Sequence, residues 1–219
     1  GDLTGDGIAD IVLGLNQNGS RFLVFRGGDL ALIAAFRVGT GNGFLGRTSV
    51  AIGDLDGNGR DDLIVSALYG NRTRVAGFNG ESFDPGATRT RMFSAFALGG
   101  KYTKGAYLAA GDVNGDGKAD VVLGSTSAVV VKAFSGADLT ESNIHTRIAA
   151  FGPLGGVSKG GVRVAVRDLN GDGVGDIITA SGELVSAFAG GANLPPAGTP
   201  SLLFAFDPEP TTLGGAWVG

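Results

Sequence analysis

The chain of 219 residues contains no cysteine and only one histidine, one methionine and one tryptophan. The absence of cysteine excludes disulfide bonds and thiolate chemistry, and a single histidine leaves a soft or borderline metal with little to bind. Only 17% of the residues are charged, so extended charged helices are not expected. No run of about 18 apolar residues occurs, so the sequence predicts no membrane-spanning helix.

Glycine, by contrast, is abundant. The chain has 41 glycines, whereas the ordinary share of roughly 7% would give about 15. The glycines follow no triplet period, which excludes collagen, and a hydrophobic content of 43% argues against disorder. So much glycine in an apolar chain indicates short buried segments joined by tight turns. We therefore predict an all-β protein.

An acidic segment of nine residues recurs four times without gaps, with starts that lie 52, 58 and 56 residues apart. Two phenylalanine markers recur with the same period. The first marker precedes a turn that contains glycine, and the second ends an apolar run. The acidic segments are residues 2–10, 54–62, 112–120 and 168–176; the first markers are Phe25, Phe78, Phe134 and Phe188; the second are Phe36, Phe96, Phe151 and Phe206.

Each repeat of about 55 residues contains four strand-like runs, one before the acidic segment and three after it. The run before the segment alternates, as in Val162–Val166, whereas the run after it is continuously apolar, as in Leu63–Val65. A continuous run predicts a strand buried on both faces. Four strands with this period are typical of β-propeller blades. We therefore predict that residues 1–219 form one β-propeller domain of four four-stranded blades.

The chain starts and ends at different points of the repeat, one strand apart. The chain begins with an acidic segment at Asp2, whereas residues 214–219 resemble the first-strand run of residues 160–165. We predict that residues 214–219 pair with the N-terminal blade and close the ring, which also removes exposed sheet edges. The same start and end points also fit a segment cut from a longer tandem array of repeats. The start lacks a basic and apolar leader, so we expect a signal peptide to be absent or already removed.

The acidic segments have the pattern of a metal-binding loop. Positions 1, 3, 5 and 9 carry oxygen-bearing side chains in all four, positions 4 and 6 are always glycine, and position 7 varies, as a backbone-carbonyl ligand would allow. Ca²⁺ takes six to eight oxygen ligands, and glycine at position 6 permits the sharp turn. We predict up to four Ca²⁺ ions, one per repeat. The predicted ligands are Asp2, Thr4, Asp6, Ile8 and Asp10; Asp54, Asp56, Asn58, Arg60 and Asp62; Asp112, Asn114, Asp116, Lys118 and Asp120; and Asp168, Asn170, Asp172, Val174 and Asp176.

Two alternatives to this interpretation are an EF-hand and a turn without metal. An EF-hand requires a glutamate at position 12, which is occupied here by Leu13, Val65, Leu123 and Thr179. A metal-free Asp/Asn/Gly turn is common for one loop, but four identical ligand patterns argue against it. Twelve of the 21 acidic residues stand at ligand positions, and four Ca²⁺ ions would change the formal net charge from −4 to about +4.

These loops resemble the FG-GAP, or VCBS-type, repeats of integrin α-subunit propellers and many secreted bacterial proteins. The best match is residues 44–65, whereas Leu123–Ser125 and Thr179–Ser181 replace the usual Gly-Ala-Pro in other copies. The resemblance implies a β-propeller with calcium in the loop between the first two strands of each blade. It differs from the integrin pattern in blade number, because seven is usual there and this chain has four repeats.

The sequence contains no nucleophile elbow, phosphate loop or catalytic triad pattern. His145 is assigned a surface or packing role. Tyr107 and Trp217 occupy equivalent first-strand positions, where they stack between strands or offer a platform for glycans. Four arginines flank one connection between strands and could form a basic patch, although a solvated face is the simpler interpretation: Arg72, Arg74, Arg89 and Arg91.

We therefore predict a secreted, calcium-stabilised adhesion or protein-recognition module that is not an enzyme. Its expected partner is an extracellular protein or glycan, or further copies of itself, with no nucleic acid and no membrane span. Two alternatives remain open. The first is a structural unit of a surface layer or filament that assembles through its terminal strands, and the second is a glycan-binding, lectin-like propeller.

Overall fold

The computed structural model describes residues 1–15, 20–38, 48–69, 72–140, 143–144, 146–152, 154 and 161–208. These residues form β-strands and one short 3-10 helix, Gly80–Phe83. The all-β prediction is therefore confirmed. None of the described segments forms a helix of the length and apolarity that crossing a membrane requires.

Four antiparallel sheets follow one another along the chain, and the small pair β11–β12 lies against β7. Sheet 1 has the order β1-β2-β3, sheet 2 β4-β5-β6-β7, sheet 3 β8-β9-β10-β13 and sheet 4 β14-β15-β16-β17. The strands are β1 (Ile11–Leu15), β2 (Arg21–Phe25), β3 (Leu32–Arg37), β4 (Ser49–Gly53), β5 (Asp62–Tyr69), β6 (Arg72–Phe78), β7 (Arg91–Ala95), β8 (Ala106–Gly111), β9 (Asp120–Ser125), β10 (Val131–Phe134), β11 (Leu139–Thr140), β12 (Asn143–Ile144), β13 (Arg147–Phe151), β14 (Arg163–Arg167), β15 (Asp176–Ser181), β16 (Leu184–Phe188) and β17 (Leu202–Phe206).

Sheets 2, 3 and 4 contain all four predicted strands of a blade, and each acidic loop connects the first strand to the second. Sheet 1 has three strands, since no described strand precedes β1. The predicted closing strand, residues 214–219, lies outside the described residues, as do His145 and Trp217. Closure of the ring and the single-domain assignment stay predictions.

The chain folds into two compact units. Unit 1 comprises Gly1–Ala106 and Leu139–Ile144, and unit 2 comprises Tyr107–Asp138 and His145–Gly219. Sheets 1 and 2 enclose the core of unit 1, and sheets 3 and 4 that of unit 2. The core of unit 1 contains Leu3, Phe22, Val24, Leu63, Val65, Phe78 and Phe83, and that of unit 2 contains Val113, Val122, Val131, Phe151, Val162, Ile177 and Phe188.

The prediction of strands buried on both faces is correct for sheets 2 and 3 but wrong for sheet 1. Leu63–Val65 and Val121–Leu123 are completely buried. In contrast, Ile11 is 46% exposed and Leu13 is 45% exposed. The reason is that β1 is an edge strand in the described part of the chain, whereas β5 and β9 lie between two neighbours.

The first phenylalanine marker lies at a break in strand register in every sheet. The pairing of the last two strands of the sheet shifts immediately before this residue. Such a β-bulge bends the strand and re-aims the residues that follow it. The four shifts lie at Val24/Phe25, Gly77/Phe78, Ala133/Phe134 and Ala187/Phe188.

The second phenylalanine marker of one sheet packs against the first marker of the next sheet. The rings of Phe36 and Phe78 lie 5.3 Å apart at 68° in unit 1, and those of Phe151 and Phe188 lie 4.8 Å apart at 62° in unit 2. Edge-to-face geometry of this kind is favourable for aromatic pairs. The recurring phenylalanines therefore connect successive sheets within each unit.

Replacing Phe188 by alanine should lower the free energy of unfolding by about 3–5 kcal/mol, because this ring is completely buried. Phe188→Leu keeps most of the volume and should cost less than about 1.5 kcal/mol. A double-mutant cycle with Phe151→Ala, followed by urea unfolding, should give a coupling of about 0.5–1.5 kcal/mol. Strict additivity of the two alanine substitutions would contradict the proposed contact between sheets.

Candidate metal centres

Each acidic loop folds around the carboxylate of its first aspartate. In all four loops the backbone N–H groups of positions 4 and 6 donate to the two oxygens of this carboxylate at 2.6–2.9 Å. The glycines at both positions have φ values between 73° and 86°. These values lie in the left-handed region that favours glycine, so the structure explains why both positions are invariant among the repeats. The first aspartates are Asp2, Asp54, Asp112 and Asp168.

The side chain at position 5 holds the backbone of position 7. Its Oδ1 atom accepts a hydrogen bond from the position-7 N–H at 2.8–2.9 Å in all four loops. This local turn keeps the loop wrapped toward its own centre. That the position-7 carbonyl groups are metal ligands stays a prediction. The residues concerned are Asp6 with Ile8, Asn58 with Arg60, Asp116 with Lys118, and Asp172 with Val174.

The aspartate at position 9 is buried in every loop, with an exposed fraction of at most 6%. One carboxylate oxygen accepts from the backbone N–H of position 2 or 3 at 2.9–3.0 Å. The other accepts from a glycine N–H, at 2.8–3.1 Å, in the turn after the first phenylalanine marker. This carboxylate therefore ties the acidic loop to the turn between the last two strands of its own sheet. The pairs are Asp10 with Gly27, Asp62 with Gly80, Asp120 with Gly136, and Asp176 with Gly190.

The turn glycines are functional residues that the sequence analysis missed. A Cβ atom at Gly80 would lie 2.1 Å from the carbonyl oxygen of Asp61, and one at Gly190 would lie 2.3 Å from that of Gly175. Only glycine allows the turn to approach the loop this closely. The recurring Phe-x-Gly spacing was the available signal, but the partner of the glycine N–H is distant in sequence.

The carboxylates of the second loop converge. The carboxylates of Asp54, Asp56 and Asp62 each place an oxygen within 4.8 Å of the others. In the third loop the amide nitrogen of Asn114 donates to Asp116 at 2.9 Å and to Asp120 at 3.4 Å. A donor group thus lies where the carboxylates would attract a cation. The atoms of the Asp, Asn and Thr side chains that can ligate a metal are all oxygens, so the donor set fits a hard cation.

The side chain at position 3 has different partners in the first and fourth loops. The hydroxyl of Thr4 donates to Asp2 at 3.4 Å, while its backbone N–H donates to Asp10 at 2.9 Å. The amide of Asn170 donates to Asp172 at 2.8 Å. Among the described residues, Asp54, Asp56 and Asp62 are the one group of three acidic side chains whose oxygens lie within 4.8 Å of one another, so metal binding by all four loops stays a prediction.

Burial opposes ionisation at two of the position-9 carboxyls. Burial raises the pKa of Asp62 to about 6, and the charges of Asp56 and Asp54 add to this, while backbone hydrogen bonds oppose it. For the same reasons the pKa of Asp120 rises to about 7. In contrast, backbone N–H groups of the loop lower the pKa of Asp168.

Neighbouring loops of the same unit are hydrogen-bonded to each other. In unit 1 the N–H of Asp61 donates to the carbonyl of Asp2 at 3.2 Å, and the N–H of Asp2 donates to the Asp61 carboxylate at 2.7 Å. The Nε atom of Arg60 donates to the carbonyl of Leu3 at 2.6 Å, and its guanidinium group binds Asp84. The first two loops are therefore joined by direct hydrogen bonds.

The loops of unit 2 are connected in a corresponding way. The N–H of Gly175 donates to the carbonyl of Asp112 at 2.7 Å, and that of Gly191 donates to Val113 at 2.8 Å. Position 8 of one loop thus contacts position 1 of the preceding loop in both units. The backbone of each loop depends on the conformation of its neighbour.

The other residues singled out in the sequence have separate environments. Tyr107 is half-buried against the core of unit 2, and the guanidinium group of Arg163 lies 5.5 Å from its ring centre. Arg89 lies over the ring of Phe83, with 4.5 Å between the guanidinium carbon and the ring centre. Tyr107 therefore contributes to packing, and Arg89 belongs to an aromatic cluster of unit 1.

The buried carboxyl of Asp120 should make stability depend on pH in excess chelator. A carboxyl whose pKa is raised on folding contributes stability that is fully present below pH 3.8 and is lost as the pH rises through about 7. We therefore expect the wild type to lose more stability than Asp120→Asn between about pH 5 and pH 8, measured by urea unfolding. Asp29→Asn, at an exposed position, is the control, and equal losses in wild type and Asp120→Asn would contradict this origin.

Solved structures resemble the chain at low sequence identity. Rhamnogalacturonan lyase YesW matches with a TM-score of 0.51 at 14% identity, over 95% of this chain and 48% of the lyase. Rhamnogalacturonan lyase PL11 from Bacillus licheniformis matches with a TM-score of 0.45 at 15% identity, over 86% and 31% of the two chains. An Agrocybe aegerita lectin that recognises non-reducing terminal N-acetylglucosamine matches with a TM-score of 0.37 at 17% identity, over 93% of this chain and 63% of the lectin.

The chain thus spans about half the length of YesW, and the likeness shows the fold alone. No curated protein matches the chain. The sequence model of the FG-GAP-like repeat matches residues 2–65 and 112–179, which include all four acidic loops and more than half of the chain. The four glycine-bearing loops thus correspond to a known repeat, and the solved structures that resemble the chain are β-propeller-like proteins. The chain belongs to the FG-GAP-like repeat family.

Proposed function

We propose that this protein is a calcium-binding, calcium-stabilised β-propeller that acts outside the cell as a non-enzymatic recognition module. The observation that carries the proposal is the fourfold repetition of one oxygen-lined loop that is hydrogen-bonded to its own sheet. Calcium in the loops would rigidify one end of neighbouring sheets, and this end would present the surface that a partner protein or glycan contacts.

The proposed role of calcium follows from the charges in each loop. Three carboxylates about 5 Å apart repel each other by roughly 3 kcal/mol per pair at an effective dielectric constant of 20. A bound Ca²⁺ ion would remove this repulsion and favour the ionised form of the buried position-9 aspartate. Side-chain oxygens of positions 1, 3, 5 and 9 and the position-7 carbonyl would hold the ion. Extracellular calcium modules bind at about 10⁻⁴–10⁻³ M, which suits a purely structural ion outside the cell.

The non-enzymatic part of the proposal is supported by how the clustered carboxylates are used. The loop aspartates accept hydrogen bonds from their own backbone, so they are committed to loop structure rather than directed toward a substrate. Two of the similar structures are named rhamnogalacturonan lyases, but at 14–15% identity this activity is not transferred to the chain.

Calcium titration by calorimetry should give four sites for the wild type and three for Asp54→Asn, which removes a carboxylate charge of the second loop. Occupying one site at 100 times its Kd stabilises the folded state by about 2.7 kcal/mol. Excess chelator should therefore lower the Tm by about 5 °C or more. Asp29→Asn should keep four sites, and an unchanged melting curve in chelator would contradict a structural role of calcium.

We also propose that residues 214–219 supply the missing first strand of sheet 1 and close a ring of four blades. The support is that β1 is an edge strand with exposed Ile11 and Leu13, whereas β4, β8 and β14 occupy the equivalent place in the other sheets. The strand β17 at the edge of sheet 4 also exposes Phe204 and Phe206. These exposed strands equally favour the second candidate function, a structural unit whose copies join through terminal strands.

Trp217 is the only tryptophan, so its fluorescence reports on residues 214–219. Intramolecular closure predicts a monomer with blue-shifted Trp217 emission in calcium, measured by light scattering and fluorescence. Leu13→Lys should shift the emission to the red, and Leu30→Lys, at an exposed turn, should not. A concentration-dependent oligomer with blue-shifted emission would favour the structural unit, and a monomer with red-shifted emission would contradict closure.

A further inference from the structure

Sheet 2 ends in a group of basic side chains at the end opposite its acidic loop. The strand β5 starts at Asp62 of the loop and runs for eight residues, or roughly 23 Å, before β6 returns from Arg72. The loop that follows β7 lies against the start of β6, because the N–H of Thr73 donates to the carbonyl of Tyr102 at 2.8 Å. This contact brings the backbone of residues 100–102, which includes the exposed Lys101, against the start of β6.

The two arginines of this group are held in place by an aromatic ring. The guanidinium carbon of Arg72 lies 4.4 Å from the ring centre of Phe96, and that of Arg74 lies 5.3 Å from it. Arg72 also donates to the carbonyl of Gly100 at 3.4 Å, and Arg74 donates to the hydroxyl of Ser94. Two like charges are thus ordered on one ring, although they repel each other.

The segments that form this group carry no acidic side chain. Residues 63–80 and 85–111 contain neither aspartate nor glutamate. The guanidinium group of Arg72 has no carboxylate partner among the described residues, and both Arg72 and Lys101 are exposed. We call Arg72, Arg74 and Lys101 the basic patch.

We propose that the basic patch binds the carboxylate or sulfate groups of an anionic polysaccharide. An arginine fork matches a planar or tetrahedral oxyanion with two parallel hydrogen bonds, and the ring of Phe96 orients the fork before the ligand arrives. The choice of a polysaccharide rests on the extracellular recognition role proposed above. The binding surface itself lies away from the acidic loops.

The observations favour a polysaccharide over two other polyanions. Single-strand nucleic-acid binders offer open aromatic faces on which bases stack, whereas Phe96 is covered by Arg72. An acidic peptide usually docks by adding a strand or filling an apolar groove. The patch is instead formed by a strand start and a loop.

The test measures binding of the full chain to immobilised heparin and hyaluronate by surface plasmon resonance, in calcium. We expect Arg72→Ala with Lys101→Ala to weaken binding by about tenfold or more. Arg72→Lys keeps the charge but loses the fork, and it should weaken binding by roughly threefold. Arg91→Ala removes an exposed arginine at the opposite end of β7 and should leave binding unchanged.

Wild-type binding should fall as salt is added, because the contacts are ionic. Loss of binding in Arg91→Ala equal to that in the double variant would show a nonspecific charge effect and overturn the proposal. Stronger binding to single-stranded DNA or polyglutamate than to heparin and hyaluronate would also overturn it. If the double variant does not show the wild-type melting curve, Arg72→Lys alone decides the test.

Calcium titration of the same preparations separates this proposal from the proposed function. A protein that binds calcium but neither polysaccharide overturns the basic patch and leaves the calcium role intact. A protein that binds heparin or hyaluronate through Arg72 and Lys101 without binding calcium supports the patch and contradicts the calcium role.

Discussion

A buried aspartate carboxylate at the end of each acidic loop is the interaction on which the loop and its sheet both depend. Such a group is costly to bury unless its oxygens accept hydrogen bonds. Here one oxygen accepts from the loop, and the other accepts from a glycine in the turn between the third and fourth strands. The carboxylate thus couples two segments that are 14–18 residues apart in sequence.

This constraint accounts for two further features of each sheet. The register shift at the first phenylalanine marker re-aims the chain just before the turn, so that the glycine N–H reaches the carboxylate. In sheets 2 and 4 the same marker also packs against the second phenylalanine of the preceding sheet of its unit, in the pairs Phe36–Phe78 and Phe151–Phe188. The acidic loop, the glycine turn and the phenylalanine contact are therefore parts of one repeated unit.

Much of the fold was predictable from the sequence, because periodic features depend on local chemistry. Glycine at positions 4 and 6 of each loop requires a left-handed conformation, and continuous apolar runs indicate buried strands. The exposure of Ile11 and Leu13 was not predictable in this way, since the same residue types are buried in β5. Their environment depends on whether another strand lies beside β1, which is a question of long-range pairing.

In the candidate site, too, local features were predictable from the sequence and long-range contacts were not. The oxygen-bearing positions of the loops could be identified from spacing alone, and in the second loop the structure brings three of these carboxylates within 4.8 Å of one another. The grouping of the arginines could not, because Arg72 and Arg74 share the ring of Phe96 while Arg89 lies over Phe83. Residues that are close in sequence enter different environments when the strands between them reverse direction.

The sequence by itself determined the fourfold period, the all-β class and the side chains that could bind a hard cation, because each follows from local residue types and their spacing. Only the tertiary structure decided which glycine N–H groups satisfy the buried carboxylates, which phenylalanines pair between sheets and which basic side chains share one surface. These contacts join residues that are distant in the chain, and their geometry is set by strand pairing rather than by any single segment.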